Sequence, residues 1–179
     1  MGRGGIAVVV AVALALAGCG EDEGGPSTFE QEGFPFTFEY PEEFEVADDV
    51  NFEQSLGSAA DENVAVALEE NDGIFLQRIT LNQEVTAENL SLAKQELDAL
   101  IAQADPGSSP GTAGETAGFP SLEYGSLAAT IEDQEVKSRV LVLFEGDQQY
   151  VINCQATEEN REEVEAACDQ MRATLAPAG

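Results

Sequence analysis

The chain has 179 residues, with 35 Asp or Glu against 7 Lys or Arg, no His, and a formal net charge of −28 at pH 7. The absence of His removes Ser-His-Asp and Cys-His catalysis, histidine metal triads and imidazole proton transfer near neutrality. A surface of this sign repels nucleic acid and anionic lipid head groups and leaves cationic partners open: metal ions, basic peptides or polyamines.

At the N-terminus, Arg3 and the amino group precede an unbroken apolar run from Ile6 to Ala17. A transmembrane helix needs about 20 apolar residues, so a run of this length suits the hydrophobic region of a secretory signal. It ends in Leu16-Ala17-Gly18-Cys19, an aliphatic residue, two small ones and a cysteine. This stretch resembles the lipobox of bacterial lipoproteins; the alternative is an ordinary signal peptide with a chance cysteine. The resemblance implies a signal peptide over 1–18, cleavage just before Cys19, and a lipid on the Cys19 thiol with palmitate-type chains. Each buried methylene contributes about 0.8 kcal/mol, and two or more chains anchor stably. The expected location is therefore the extracytoplasmic side of the cell membrane, with the membrane itself a partner through the anchor.

Residues 19–32 are acidic, contain Gly, Pro and Ser, and lack periodicity, so they read as a flexible tether. A single domain is expected over 33–176. In "GFPFTFEYP", Phe34, Phe36, Phe38 and Tyr40 alternate with smaller or polar residues, which predicts a strand with one aromatic face. Pro35 places that strand at an edge, or marks its start. Val50, Phe52 and Leu56 suggest a second strand. "NVAVALE" and "IFLQRITLN" flank the turn-rich "ENDG" as an antiparallel hairpin.

The period then changes. Leu90, Ala93, Leu97, Leu100, Ile101 and Ala104 fall at helical spacing, predicting a helix over 87–104 with Thr86 as N-cap and a Val85–Leu90 staple. "DPGSSPGTAG" ends it and reads as a mobile loop. "GFPSLEYGSLAAT", "EVKSRVLVLF" and "QQYVINCQA" follow as three strands on short links, an antiparallel meander. Val164, Ala167, Cys168, Met171 and Leu175 form a last helical stripe, with Glu158, Glu159, Glu162 and Glu163 in its first turns, where the helix dipole favours acids. The fold class is α+β: a mainly antiparallel sheet of six or seven strands with two helices packed on it.

With Cys19 assigned to lipid, Cys154 and Cys168 remain as an even pair in an oxidising compartment. Both fall on apolar faces of amphipathic elements, which predicts a structural disulfide joining the last strand to the last helix. Other chemistry finds little support. Ser-Lys catalysis would use Lys94 or Lys137, neither near an SxxK motif. The adjacent acids Glu42/Glu43, Asp48/Asp49, Asp61/Glu62 and Glu69/Glu70 point to opposite faces when they lie in strands. "EENDG" fails as an EF-hand, because setting Gly73 at loop position six puts Leu68 at one and Ile79 at twelve. No catalytic residue, cofactor or metal ligand is assigned, though clustered acids leave weak calcium or magnesium binding open.

The element order, with "GFPFTFEYPEEFEV" opening the domain and "GETAGFPSLEYGSLAAT" before the final hairpin and helix, resembles the PsbP-like α/β sandwich. That resemblance implies a binding or assembly-supporting scaffold rather than an enzyme, and it carries over no ligand-binding residue. The expected function is a non-catalytic, lipid-anchored module of the bacterial cell envelope, with an envelope protein or a cationic ligand as partner and no nucleic acid. The alternatives are an acidic cation sensor and a carboxylate-based hydrolase.

Overall fold

A computed structural model describes residues 25–48, 60–131 and 133–179. The signal segment, Cys19 and the strand expected around Val50 to Leu56 lie outside the described residues. The elements are, in order, β1 Ser27–Phe29, β2 Phe36–Tyr40, β3 Glu45–Asp48, β4 Glu62–Glu69, β5 Asp72–Thr80 and α1 Leu90–Ala104. They continue as β6 Thr112–Thr116, β7 Phe119–Ile131, β8 Gln134–Glu145, β9 Gln148–Thr157, α2 Arg161–Thr174 and β10 Ala176–Pro177. The main sheet is antiparallel throughout, in the order β3-β4-β5-β9-β8-β7-β6, and a small sheet has the order β1-β2-β10.

Strand alternation divides the core in two. On one face of the main sheet, Ile74, Leu76, Leu141, Leu143 and Ile152 meet α2 and the aromatic ladder of β2. On the other, Val140, Val142 and Val151 meet Leu90, Leu97 and Ile101 of α1, together with Leu122 and Tyr124. The central strands are therefore buried on both sides, and their sequences read as near-continuous apolar runs. The β8–β9 link is Gly146-Asp147, with Glu145 opposite Gln148. Gly146 takes φ 60°, a value that a tight two-residue hairpin needs and that glycine adopts without strain.

The ladder is core, as its periodicity predicts. β2, however, is the middle strand of the small sheet, and it begins immediately after Pro35, where a missing N–H costs no ladder bond. Order also starts earlier than 33. Ser27, Thr28 and Phe29 pair with Tyr40, Glu39 and Phe38, and Phe29 is 1 % exposed with its ring stacked 4.7 Å from that of Phe38. The expected tether thus gives up its C-terminal part, because one phenylalanine there completes the aromatic cluster. β3 covers "EVAD", which carries little apolar periodicity and is held as an edge strand by pairing with β4.

Helix α1 begins at Leu90 rather than 87. Its N-cap position is Asn89, whose Oδ1 accepts from the Thr86 N–H at 2.7 Å and whose Nδ2 donates to the Glu84 carbonyl at 2.9 Å, so the turn before the helix is fastened from Asn89 and not from Thr86. Val85 and Leu90 share one core cluster, but with Asn89 at the N-cap they no longer occupy the N′ and N4 positions of the expected staple. Leu100 is 39 % exposed, since the face that meets the sheet is set by Leu90, Leu97 and Ile101. In α2, Glu162 and Glu163 occupy the first turn, while Glu158 and Glu159 precede it.

The segment read as a mobile loop is pinned. Gly107 donates to Asp105 Oδ1 at 2.9 Å, Ser108 Oγ donates to the Asp105 carbonyl at 2.7 Å, and Gly111 N–H donates to Asp98 Oδ1 at 2.9 Å. From Thr112 the chain is β6, an edge strand on β7. Gly111 is buried against a ring: a Cβ there would lie 2.5 Å from Tyr124. Asp98 gathers these contacts. Burial works against its charge, but the Lys94 ammonium, the Gly111 N–H and the Tyr124 hydroxyl outweigh burial and hold its carboxyl below the ordinary range. The Tyr124 hydroxyl is buried close by without a hydrogen bond of full geometry, and is pushed up by burial first and by the Asp98 charge second.

Two outcomes follow from this packing. Phe29→Ala should cost about 3–5 kcal/mol in equilibrium urea denaturation, as for other buried aromatic truncations; a tether residue would cost next to nothing. Folding lowers the Asp98 pKa, so its carboxylate stabilises the fold above the ordinary value of about 4, a contribution lost as pH falls through the lowered value. Asp98→Asn should therefore lower Tm at neutral pH, and calorimetry should show the gap to wild type closing as the solution is acidified.

Candidate functional site

Helix α2 is fastened to the sheet at two points. Cys154 on β9 and Cys168 on α2 form a disulfide with Cα atoms 6.1 Å apart. Further toward the helix start, Asp72 is 2 % exposed and its carboxylate accepts three hydrogen bonds. They come from the Thr157 N–H at 2.6 Å, the Thr157 hydroxyl at 3.1 Å and the Asn160 amide at 3.1 Å. Asp72 opens β5, whereas Thr157 closes β9 and Asn160 is the N-cap residue of α2. One buried carboxylate thus ties the strand-to-helix corner to the neighbouring strand.

Between these two fastenings, α2 and the sheet enclose a groove of about 230 Å³. Its floor is apolar: the disulfide, Ala156 and Val164. Cys154 and Ala156 are two apart on β9 and share a face; Arg161, Val164 and Cys168 recur at i, i+3 and i+7 and share a face of α2. Lys137 and Arg139, two apart on β8, stand on the same side of the sheet, paired with Ala156 and Cys154. Ser126, from the bulge that interrupts β7 between Tyr124 and Leu127, completes the rim with Glu165.

Three of the six cations among the described residues therefore line one groove in a chain dominated by acids. Arg139 bridges to Asp169 at 3.0 Å and donates to the Glu165 carbonyl at 3.3 Å. Arg161 pairs with Glu158, yet its Nε is buried with no acceptor. Lys137 has no ion pair among the described residues, unlike Arg78, Lys94 and Arg172, which hold Glu62, Asp98 and Glu123. The arrangement supplies hydrogen-bond donors around an apolar floor.

Of the residues singled out in the sequence, Cys154 and Cys168 are brought together, and Cys19 lies outside the described residues. Lys137 lines the groove, is exposed and makes no hydrogen bond to Ser126, whereas a lysine base needs desolvation. Glu42/Glu43 and Glu69/Glu70 are exposed, and Glu62 is spent on Arg78. Within the described residues, no group of three or more acids or cysteines is placed to hold a metal ion, and no helix is long and apolar enough to cross a membrane. Asp72 and Arg161 were not legible as partners of the site. "KSR" was the available signal, two cations at i and i+2 in a chain that otherwise spaces them widely.

In sequence the chain matches no family model and no curated protein. In fold it is similar to cyanobacterial PsbP (CyanoP) from Synechocystis sp. PCC 6803, with a TM-score of 0.57 and 12% identity, over 91% of this chain and 99% of that one. It is also similar to LpqN of Mycobacterium tuberculosis, described as involved in cell envelope biogenesis, with a TM-score of 0.51 and 12% identity, over 89% of this chain and 87% of that one. The domain has the α+β fold of PsbP-like proteins, as its element order implied.

Closing a 15-residue loop is worth about 3 kcal/mol in the chain-entropy model. Exported protein should carry no free Cys154 or Cys168 thiol by intact mass after alkylation. Reduction should lower its stability to urea by about that amount while leaving the sheet folded.

Proposed function

We propose that the chain is a lipid-anchored module on the extracytoplasmic side of the bacterial cell membrane that binds a ligand or supports an assembly and does no catalysis. The observation that carries this reading is the groove beside α2. Its lining sets three cations, two serines and one glutamate around an apolar floor, a recognition surface. The Leu16-Ala17-Gly18-Cys19 motif supports the anchor and the compartment. The shared fold with LpqN, described as involved in cell envelope biogenesis, is compatible with an envelope role.

The acidic surface bears on how such a module works. Like charge keeps the domain off an anionic bilayer and away from nucleic acid, so it meets its partner beside the membrane rather than on it. Partners of the intact protein are open to cross-linking in cells followed by identification of the adducts.

Cys19→Ser should abolish membrane association and leave the precursor uncleaved by the lipoprotein peptidase, because only a thiol there accepts the lipid. Fractionation of cells expressing the variant checks this. A mature-sized Ser variant that stays with the membrane would show that Cys19 is not the anchor.

A further inference from the structure

We propose that the groove between β8, β9 and α2 binds a small ligand carrying an oxyanion, phosphate or carboxylate, on an apolar body. The inference deepens the binding role proposed above and rests on it. Two of the cations that line the groove keep an unspent donor: Lys137, whose ammonium has no ion pair among the described residues, and Arg161, whose buried Nε–H has no acceptor. A cationic donor left without an acceptor is costly when buried, and an oxyanion is the acceptor that suits a guanidinium and an ammonium alike, with charge-assisted bonds.

The existing ion pairs do not close the site. Glu158 is 82% exposed and Asp169 is 70% exposed, so their pairs with Arg161 and Arg139 are weak surface pairs that a better-placed anion displaces. Lys137 stands opposite Ala156, toward the end of the groove where α2 begins with Arg161, so the anionic end of the ligand sits at that end, and Glu165 lies one turn further along the helix. The disulfide, Ala156 and Val164 offer no polar group to the rest of the ligand, so that part is apolar. Size and field set the remaining limits. A groove of about 230 Å³ admits a small molecule. The net charge of −28 turns away a bilayer or a polyanion, which must approach the whole surface, but not a compact anion that meets only the groove.

The test is calorimetric titration of the purified, lipidated full chain in neutral detergent with butyl phosphate, butyrate, inorganic phosphate and 1-butanol. One or both of the butyl anions should bind one to one, more weakly as salt rises. Lys137→Gln and Arg161→Gln should each weaken binding about tenfold or more, while Lys94→Gln, outside the groove, should leave it unchanged. Binding of butyl phosphate alone identifies a phosphate source, and binding of butyrate alone a carboxylate source; either supports the proposal. Equal binding of inorganic phosphate and butyl phosphate overturns the apolar body. Binding of butanol, binding indifferent to both groove substitutions, or no binding of either anion overturns the site. Should Arg161→Gln fail to fold, Lys137→Gln at its exposed strand position carries the test. A chain that fractionates with the membrane but binds neither anion loses this site and keeps the envelope role, and the reverse result keeps the groove and loses the anchor.

Discussion

The pairing of β5 with β9 joins two strand systems that are each local in the chain. It runs in register from Gly73 opposite Gln155 to Thr80 opposite Gln148, across the 67 residues of intervening chain from 81 to 147. On one side of that seam lie β3, β4 and β5, on the other the meander β6 to β9. Bringing such distant strands together costs loop-closure entropy before any side chain packs, and the return is burial on both faces of the resulting sheet. Everything that sits on the sheet depends on the seam. Ile74 and Leu76 join Ile152 beneath α2 only because β5 and β9 are neighbours.

The groove depends on the same seam. Asp72, the first residue of β5, reaches Thr157 and Asn160 because β9 ends beside it. That contact, with the disulfide, sets the start of α2 over the last residues of β9. Between the two fastenings the helix lies on small side chains, Ala156 among them, and a concavity remains. A larger residue at 156 would fill it. The site is thus a consequence of docking a helix at two points over a small residue, and its cations arrive from both walls.

Electrostatics give the groove its contrast. Elsewhere among the described residues the cations are spent singly, Arg78 on Glu62, Lys94 on Asp98 and Arg172 on Glu123. At the groove, Lys137 and Arg139 come from one strand face and Arg161 from the first turn of α2, and the acids that answer them are mostly exposed. Short-range donors outweigh the long-range field only for a ligand small enough to sit among them.

The sequence by itself determined the local units: the aromatic alternation at Phe34 to Tyr40, the helical stripes of α1 and α2, the β4–β5 hairpin and the β7–β8–β9 meander. Each of these is written in a period of 2 or 3.6 and a turn. It also determined the Cys154–Cys168 pair, because two amphipathic faces each carried a cysteine. What only the tertiary structure decided was every feature whose cause lies far away in the chain. Phe29 is core because Phe38 is there to stack on it, though three residues of β1 have no period to read. "EVAD" is a strand because β4 offers it an edge, and "DPGSSPG" is ordered because Asp98 and Tyr124 hold Gly111. Asp72, in a sequence read as a turn, is buried because the end of β9 brings two Thr157 donors beside it and the α2 N-cap adds Asn160. Periodicity reports which way a side chain faces, whereas pairing between distant strands decides what it meets, and the groove is made of such meetings.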